Sequence, residues 1–216
     1  MAEPVEHAAH FESAERQGQA ATLGMWVFLA SEVLFFGALF VIYAAYRTRE
    51  PRAFAEAVAE NTFWWGSGNT LVLLTSSLFI ALSVHMLRSS RARAACWLVG
   101  ATVFLGMLFL GIKSYEYVEH FRHGIYPGGQ GQWFADQPRA AAMVAFWTLY
   151  YLMTGLHALH VIIGVLLLSV IGWCVARRRV TRLAPQALEN GAMYWHLVDI
   201  VWLFLWPCFY LTNGGA

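Results

Sequence analysis

Thr22-Leu-Gly-Met-Trp-Val-Phe-Leu-Ala-Ser-Glu-Val-Leu-Phe-Phe-Gly-Ala-Leu-Phe-Val-Ile-Tyr-Ala-Ala-Tyr46 is a run of 25 residues carrying a single charge, Glu32. A helix rises about 1.5 Å per residue and the hydrocarbon core of a bilayer is about 30 Å thick, so about 20 mostly apolar residues cross it. This run is long enough to span a membrane. Four more segments meet the same criterion, at about 64–87, 95–117, 141–176 and 192–213. The reading is an all-α integral membrane bundle of five transmembrane helices, residues 22–213, preceded by a polar segment 1–21. The fourth span is long enough to tilt or project beyond the membrane, and Ala140-Ala-Ala-Met-Val-Ala marks its start only weakly.

Composition agrees. The chain is 59% hydrophobic and 12% charged, with the charges gathered between the apolar runs. Its 14 Lys and Arg nearly balance 13 Asp and Glu, which leaves no basic footprint for nucleic acid. The segment before Thr22 holds Glu3, Glu6, Glu12 and Glu15 against Arg16, the reverse of a secretory leader, so the first run is expected to be an uncleaved helix. Cys96, Cys174 and Cys208 lie far apart within apolar runs, without metal-site or redox-pair spacing, and are expected to be small buried hydrophobes.

Five crossings place Arg16, Arg88, Arg91, Arg93, Arg177, Arg178, Arg179 and Arg182 on one side, and Arg47, Arg49, Arg52, Arg122 and Arg139 on the other. The positive-inside rule then sets the N-terminus, with segment 1–21, in the cytoplasm and the C-terminus in the periplasm. Between the third and fourth spans, Gly124, Pro127, Gly128, Gly129 and Gly131 form a turn-rich loop leading to Trp133-Phe134, aromatics expected at the membrane interface.

Polar residues inside the spans are the candidate functional positions. Glu32 lies about 14 Å into the first span. A central acidic side chain costs about 2.5–3.5 kcal/mol on insertion, so Glu32 must be protonated, paired with another helix or facing a polar cavity. Its readings are a hydrogen-bonded carboxyl that fixes helix packing, or a proton-path or lipid-contact residue. Lys113, Glu116 and His120 share one face near the outer end of the third span. They are expected to form an interfacial ion pair whose lysine snorkels to the headgroups, or else a partner contact. His157 and His160 share a face of the fourth span among small residues that allow close helix approach. Inter-helix hydrogen bonding is their expected role; haem ligation is the alternative. His196 is placed at the cytoplasmic edge of the fifth span, where it could meet His85, and three residues later Asp199 could accept a charge-assisted bond from it.

Three of these islands resemble the cytochrome c oxidase subunit III family. Met25-Trp-Val-Phe-Leu-Ala-Ser-Glu-Val-Leu-Phe-Phe is similar to its glutamate-bearing helix, and Thr154-Gly-Leu-His-Ala-Leu-His-Val to its paired-histidine helix. Tyr194-Trp-His-Leu-Val-Asp-Ile-Val-Trp-Leu-Phe-Leu is similar to its last helix, and Glu116-Tyr117 to its Glu-Tyr pair. The islands stand in the family's order, and the similarity runs over residues 20–213. The resemblance implies a non-catalytic subunit III of a proton-pumping haem-copper terminal oxidase that reduces dioxygen to water. It implies no redox centre in this chain; haem and copper belong to the catalytic subunit I, which this chain packs against in a complex with subunit II. It further implies phospholipid held between helices, support for proton uptake, and protection from inactivation during turnover. Glu32, His157, His160, His196, Asp199 and Glu116 match the family's motif positions. The chain departs in length, because it lacks the first two of the mitochondrial form's seven helices, as short bacterial forms do. With its arginine-rich composition, this implies a bacterial inner membrane. It departs also at Lys113, where the family usually has Gln.

Other classes remain open on the sequence. Gly68-Asn-Thr-Leu-Val-Leu-Leu-Thr-Ser-Ser, Lys113 and Trp206-Pro-Cys-Phe-Tyr-Leu are similar to the accessory subunit of nitric oxide reductase, and a quinol oxidase uses a related subunit III. A haem-b electron carrier would draw on His85, His157, His160 or His196. A small transporter would use Glu32 and Asp199, but the broken half-helices and paired repeats of that class are missing.

Overall fold

The structure, a computed structural model, describes residues 13–129, 131–135, 139–181 and 184–211. The polar segment before Ser13, Arg182 and the last two residues of the expected fifth span lie outside these. The chain forms α1 (Ala14–Arg49), α2 (Pro51–Ala59), α3 (Phe63–Arg88), α4 (Ala92–Arg122), α5 (Gln132–Ala135), α6 (Ala140–Ala176) and α7 (Gln186–Trp206), with a closing π-turn Pro207–Leu211. Five of these are long and apolar enough to cross a membrane: α1, α3, α4, α6, and α7 together with the π-turn. No strand forms among the described residues.

The helices start earlier and end later than their apolar runs. Ser13 caps α1, its hydroxyl accepting from the Arg16 N–H at 3.2 Å. At 36 and 37 residues, α1 and α6 exceed what about 30 Å of hydrocarbon requires. At the other end of the chain, Pro207 removes a backbone donor and the helix rewinds into a π-turn. Carbonyls there find side-chain donors: Tyr43 donates to Cys208 O at 2.5 Å and Asn61 to Phe209 O at 3.1 Å.

In cross-section α3, α4, α6 and α7 close a four-helix ring, and α1 lies outside it against α6 and α7. Only 17% of the most apolar stretch of α1 is buried, against 56% for the last span, so α1 is the helix most open to lipid or a partner. Trp195 of α7 fixes the centre. A Cβ at Gly106 of α4 or at Gly164 of α6 would stand within 3 Å of its ring, so both glycines are what let the indole enter. Its N–H then donates to Ser76 Oγ of α3 at 2.9 Å, tying four helices at one point.

Two connections carry short helices. The stretch after the first span contains α2, whose Ala53, Phe54, Ala57 and Val58 pack against α6 and the π-turn. In the glycine-rich connection, α5 folds back over the end of the bundle, where Phe134 is buried and Trp133 meets Trp147 edge-on at 6.3 Å. The turn is possible because Gly124, Gly128 and Gly129 all adopt positive φ. The three cysteines form no disulfide with one another, and each is half-buried rather than sealed in the core.

Candidate functional site

A buried polar group with charged members is built on α4. Lys113 and Glu116, at 3% and 5% exposure, face inward from successive turns. The Lys113 ammonium donates to the hydroxyls of Tyr150 (2.9 Å) and Tyr210 (2.8 Å). Those hydroxyls in turn donate to Glu116 Oε1 at 2.6 and 2.5 Å. Glu116 Oε2 lies 3.2 Å from Lys113 Nζ, close enough to pair electrostatically though not aligned as a hydrogen bond. Aromatic faces complete the cage, with Nζ 4.9 Å from the Tyr150 centroid and 5.5 Å from that of Trp202. This overturns the expectation of a snorkelling lysine in an interfacial pair. The third span does not end at residue 117 but continues to Arg122, which leaves Lys113 about 14 Å from the helix end. The adjacent Tyr117 joins α4 to α6 through Thr154, at 2.5 Å.

A second group lies nearer the bundle's edge. Glu32 Oε2 of α1 is 3.0 Å from His160 Nε2 of α6. His160 Nδ1 sits 2.8 Å from Leu156 O, a carbonyl that can only accept, so Nδ1 carries a proton. The bond to Glu32 therefore holds one further proton, shared between imidazole and carboxyl, and the pair is neutral wherever that proton resides. Of the options open to Glu32 on the sequence, pairing with another helix is the one realised. Tyr194 of α7 donates to His160 O at 2.9 Å, and Phe36 meets the imidazole edge-on at 5.3 Å.

His157 does not share the fate of His160. It is fully buried between Phe109 and Trp202, with ring centroids 5.5 and 5.3 Å away, and neither ring nitrogen makes a hydrogen bond among the described residues. The expected inter-helix hydrogen bond is therefore formed by His160 alone.

The final motif is corrected in two respects. Because α7 begins at Gln186, His196 lies about 15 Å into the helix instead of at its edge. It bonds through Nδ1 to Ser77 Oγ of α3 at 2.7 Å, while His85 is exposed two turns further along α3. The His196–Asp199 bond is not formed. Asp199 is 4% exposed, and neither carboxyl oxygen makes a well-aligned bond, although the Ser77 hydroxyl lies beside it. One turn along a helix brings two residues to the same face but does not make them partners; Ser77, approaching from α3, takes the imidazole instead.

Along this five-span frame, the family model described as Cytochrome c oxidase subunit III matches residues 5–213. The chain belongs to the cytochrome c oxidase subunit III family. Cytochrome c oxidase subunit 3 of Alkalihalophilus pseudofirmus is 28% identical over 210 residues, covering 96% of this chain and 94% of the relative. Quinol oxidase subunit 3 of Bacillus subtilis is 27% identical and covers 98% and 100%. Cytochrome c oxidase subunit 3 of the plant Marchantia polymorpha is 30% identical, covering 89% of this chain and 68% of the relative.

Within this subunit III chain, the four histidines of the haem-carrier reading go to separate surroundings: His160 to Glu32, His196 to Ser77, His157 to an aromatic slot, His85 to the outside. No group of three or more His, Cys, Asp or Glu side chains is placed to hold a metal among the described residues. Of Tyr150, Tyr210 and Ser77, which complete the two inner groups, Tyr150 was not marked by the sequence, and Tyr210 and Ser77 stood only within stretches similar to the nitric oxide reductase accessory subunit, with no role of their own. Tyrosine and serine in an apolar run read as interface or packing residues, and only their partners across the bundle give them a role.

Proposed function

We propose that this chain is the non-catalytic subunit III of a proton-pumping haem-copper terminal oxidase, packed against the subunit that carries haem and copper, with subunit II in the same complex. The family match over residues 5–213 carries this reading. The chemistry of the buried groups supports it. Lys113 is neutralised by Glu116, and Glu32 shares a proton with His160, so these ionisable groups are engaged in holding helices together. On this reading Glu32 and His160, at the open edge beside α1, support proton uptake and sustained turnover by the catalytic subunit. Phospholipid fills the clefts between helices. The chain lies in the bacterial inner membrane with its N-terminus in the cytoplasm, on the arginine-rich side. Both named donor classes occur among the relatives, cytochrome c and quinol.

The test is to purify the native complex through a tag on this chain and record its reduced-minus-oxidised spectrum. An a-type haem band is the expected result, and an o-type band moves the assignment to a quinol oxidase. Haems b and c without copper move it to the nitric oxide reductase group, and a colourless complex overturns it.

A further inference from the structure

The Lys113–Glu116 group is approached from the end of the bundle that carries α2. There a cleft of about 300 Å³ lies between the C-terminal part of α4 and the α2–α3 connection, with Glu116, Glu119, His120 and His123 on one wall and Glu60 and Thr62 on the other. Glu116 and His120, 5% and 8% exposed, form its floor. Each brings a buried polar atom without a hydrogen-bond partner among the described residues: Glu116 Oε2, which meets Lys113 by charge alone, and His120 Nδ1.

A buried polar atom left unbonded carries its full desolvation penalty, so these two atoms call for an occupant that hydrogen-bonds. An acyl chain cannot do this. A cation is not favoured either, because Lys113 already neutralises Glu116, and Glu119 lies 3.4 Å from Arg122. Water meets the requirement: it donates to a carboxylate oxygen and either donates to or accepts from an imidazole nitrogen. The volume is ample for several molecules, each taking about 30 Å³ in the liquid. Thr62, which lines the cleft, is exposed, so the polar lining reaches the surface. The cleft opens at the end of the bundle and not along its flanks, where lipid between the helices would lie.

Beyond Lys113 the interior closes. Phe109 and Trp202 meet edge-on at 4.8 Å, and further along the ring Trp195 takes the space left by Gly106 and Gly164. From there to the other end the ring is filled by Ile80, Leu87, Val99, Leu168 and Leu188, each at most 1% exposed. We propose that the cleft is a water-filled inlet from the outer face of the membrane, which gives the buried Lys113–Glu116 group aqueous contact on that side alone. Through it a proton passes between hydronium and Glu116 Oε2: an O–H bond of hydronium breaks, a carboxyl O–H bond forms and water is left, and the reverse step restores the ion pair. The inlet rests on the orientation given above but not on the oxidase assignment, so it stands or fails apart from the haem spectrum.

The test is cysteine labelling of the whole complex in right-side-out membrane vesicles, with Cys96, Cys174 and Cys208 replaced by alanine and a charged, membrane-impermeant thiosulfonate as the probe. Single cysteines are placed on the inlet floor (His120→Cys), on the exposed, lipid-facing side of the same stretch of α4 (Ser114→Cys), and on the exposed surface of α2 (Arg52→Cys), which reports the orientation separately. The probe reacts with thiolate, which forms in water and not in hydrocarbon, so His120→Cys should react at least about tenfold faster than Ser114→Cys. Thr62→Trp, which narrows the mouth, should slow it. A rate for His120→Cys no higher than that of Ser114→Cys, with Arg52→Cys reactive, would overturn the proposal, whether lipid or a neighbouring subunit fills the cleft. So would labelling of His120→Cys from the cytoplasmic side alone. Hydroxyl-radical footprinting of the unsubstituted complex supplies a second reading that no folding defect can disturb. His120 should be oxidised nearly as fast as exposed His123 and well ahead of buried His157. Protection of His120 equal to that of His157 would also overturn the inlet.

Discussion

Lys113 and Glu116 form an ion pair sealed inside the bundle, with Nζ 3.2 Å from Oε2 and both side chains almost without exposure. Three separate parts of the chain meet on it, because Tyr150 comes from α6 and Tyr210 from the π-turn after α7. A buried charge left without its partner costs several kcal/mol, whereas a pair replaced together by apolar groups often costs nothing. Lys113→Met alone should therefore lower stability by about 3–5 kcal/mol, and Glu116→Leu alone by a similar amount. The double variant should recover most of the loss. Thermal unfolding of the purified complex in one detergent, run as a double-mutant cycle, measures this; additive losses would show that the pair is not coupled.

Gly66 acts on the same group from a distance. A Cβ there would stand 2.6 Å from Cγ and Cδ1 of Tyr210, the rigid base of the ring. Gly66→Ala should push Tyr210 off both Lys113 and Glu116 at a cost of about 1–3 kcal/mol. Combined with Tyr210→Ala, most of that cost should disappear. A full cost in the double variant would place the clash elsewhere.

The Glu32–His160 bond joins α1 to the ring at its open edge. Inter-helix hydrogen bonds in membranes contribute about 0.6 kcal/mol on average, with a maximum near 1.7. Glu32→Ala should therefore leave assembly largely intact, and on the proposed function it should shorten the period for which the oxidase sustains turnover. The measurement is the number of turnovers before inactivation. An unchanged number with normal subunit yield would leave the pair a helix contact only.

Ser77, and not Asp199, holds His196. Ser77→Ala should cost about 0.6–1.7 kcal/mol by releasing the imidazole. Asp199→Leu, which would strand His196 if the two were bonded, should cost less than Ser77→Ala, since the carboxyl makes no well-aligned bond that leucine would lose. Subunit yield in the purified complex ranks the two variants, and the opposite order would restore the His196–Asp199 pair.

The placement of Lys113 shows where reading along the chain stops. Lysine four residues from the end of a span reads as a snorkelling side chain, and four is the distance when the span is drawn only as far as residue 117. Glu116 and His120 are polar, and along the chain such residues mark the membrane surface. In the bundle they point inward, and α4 continues to Arg122. Hydropathy averages over all sides of a helix and cannot distinguish a polar residue facing headgroups from one facing three neighbouring helices. The π-turn escaped for a similar reason: Pro207 marks a break, but its rewinding depends on Tyr43 and Asn61 reaching its carbonyls from far along the chain.

Composition and the order of residues were enough for the five crossings and the family. A bilayer demands length and apolarity of each crossing helix separately, so that information is local. Which polar groups meet was decided only by the tertiary structure. Glu32 finds His160 across 128 positions, Ser77 takes His196 away from Asp199, and two tyrosines from distant segments close around Lys113. Those choices follow from which helices touch and how far each is rotated about its axis, and small residues such as Gly106 and Gly164 set that rotation by admitting a ring where any larger side chain would hold the helices apart.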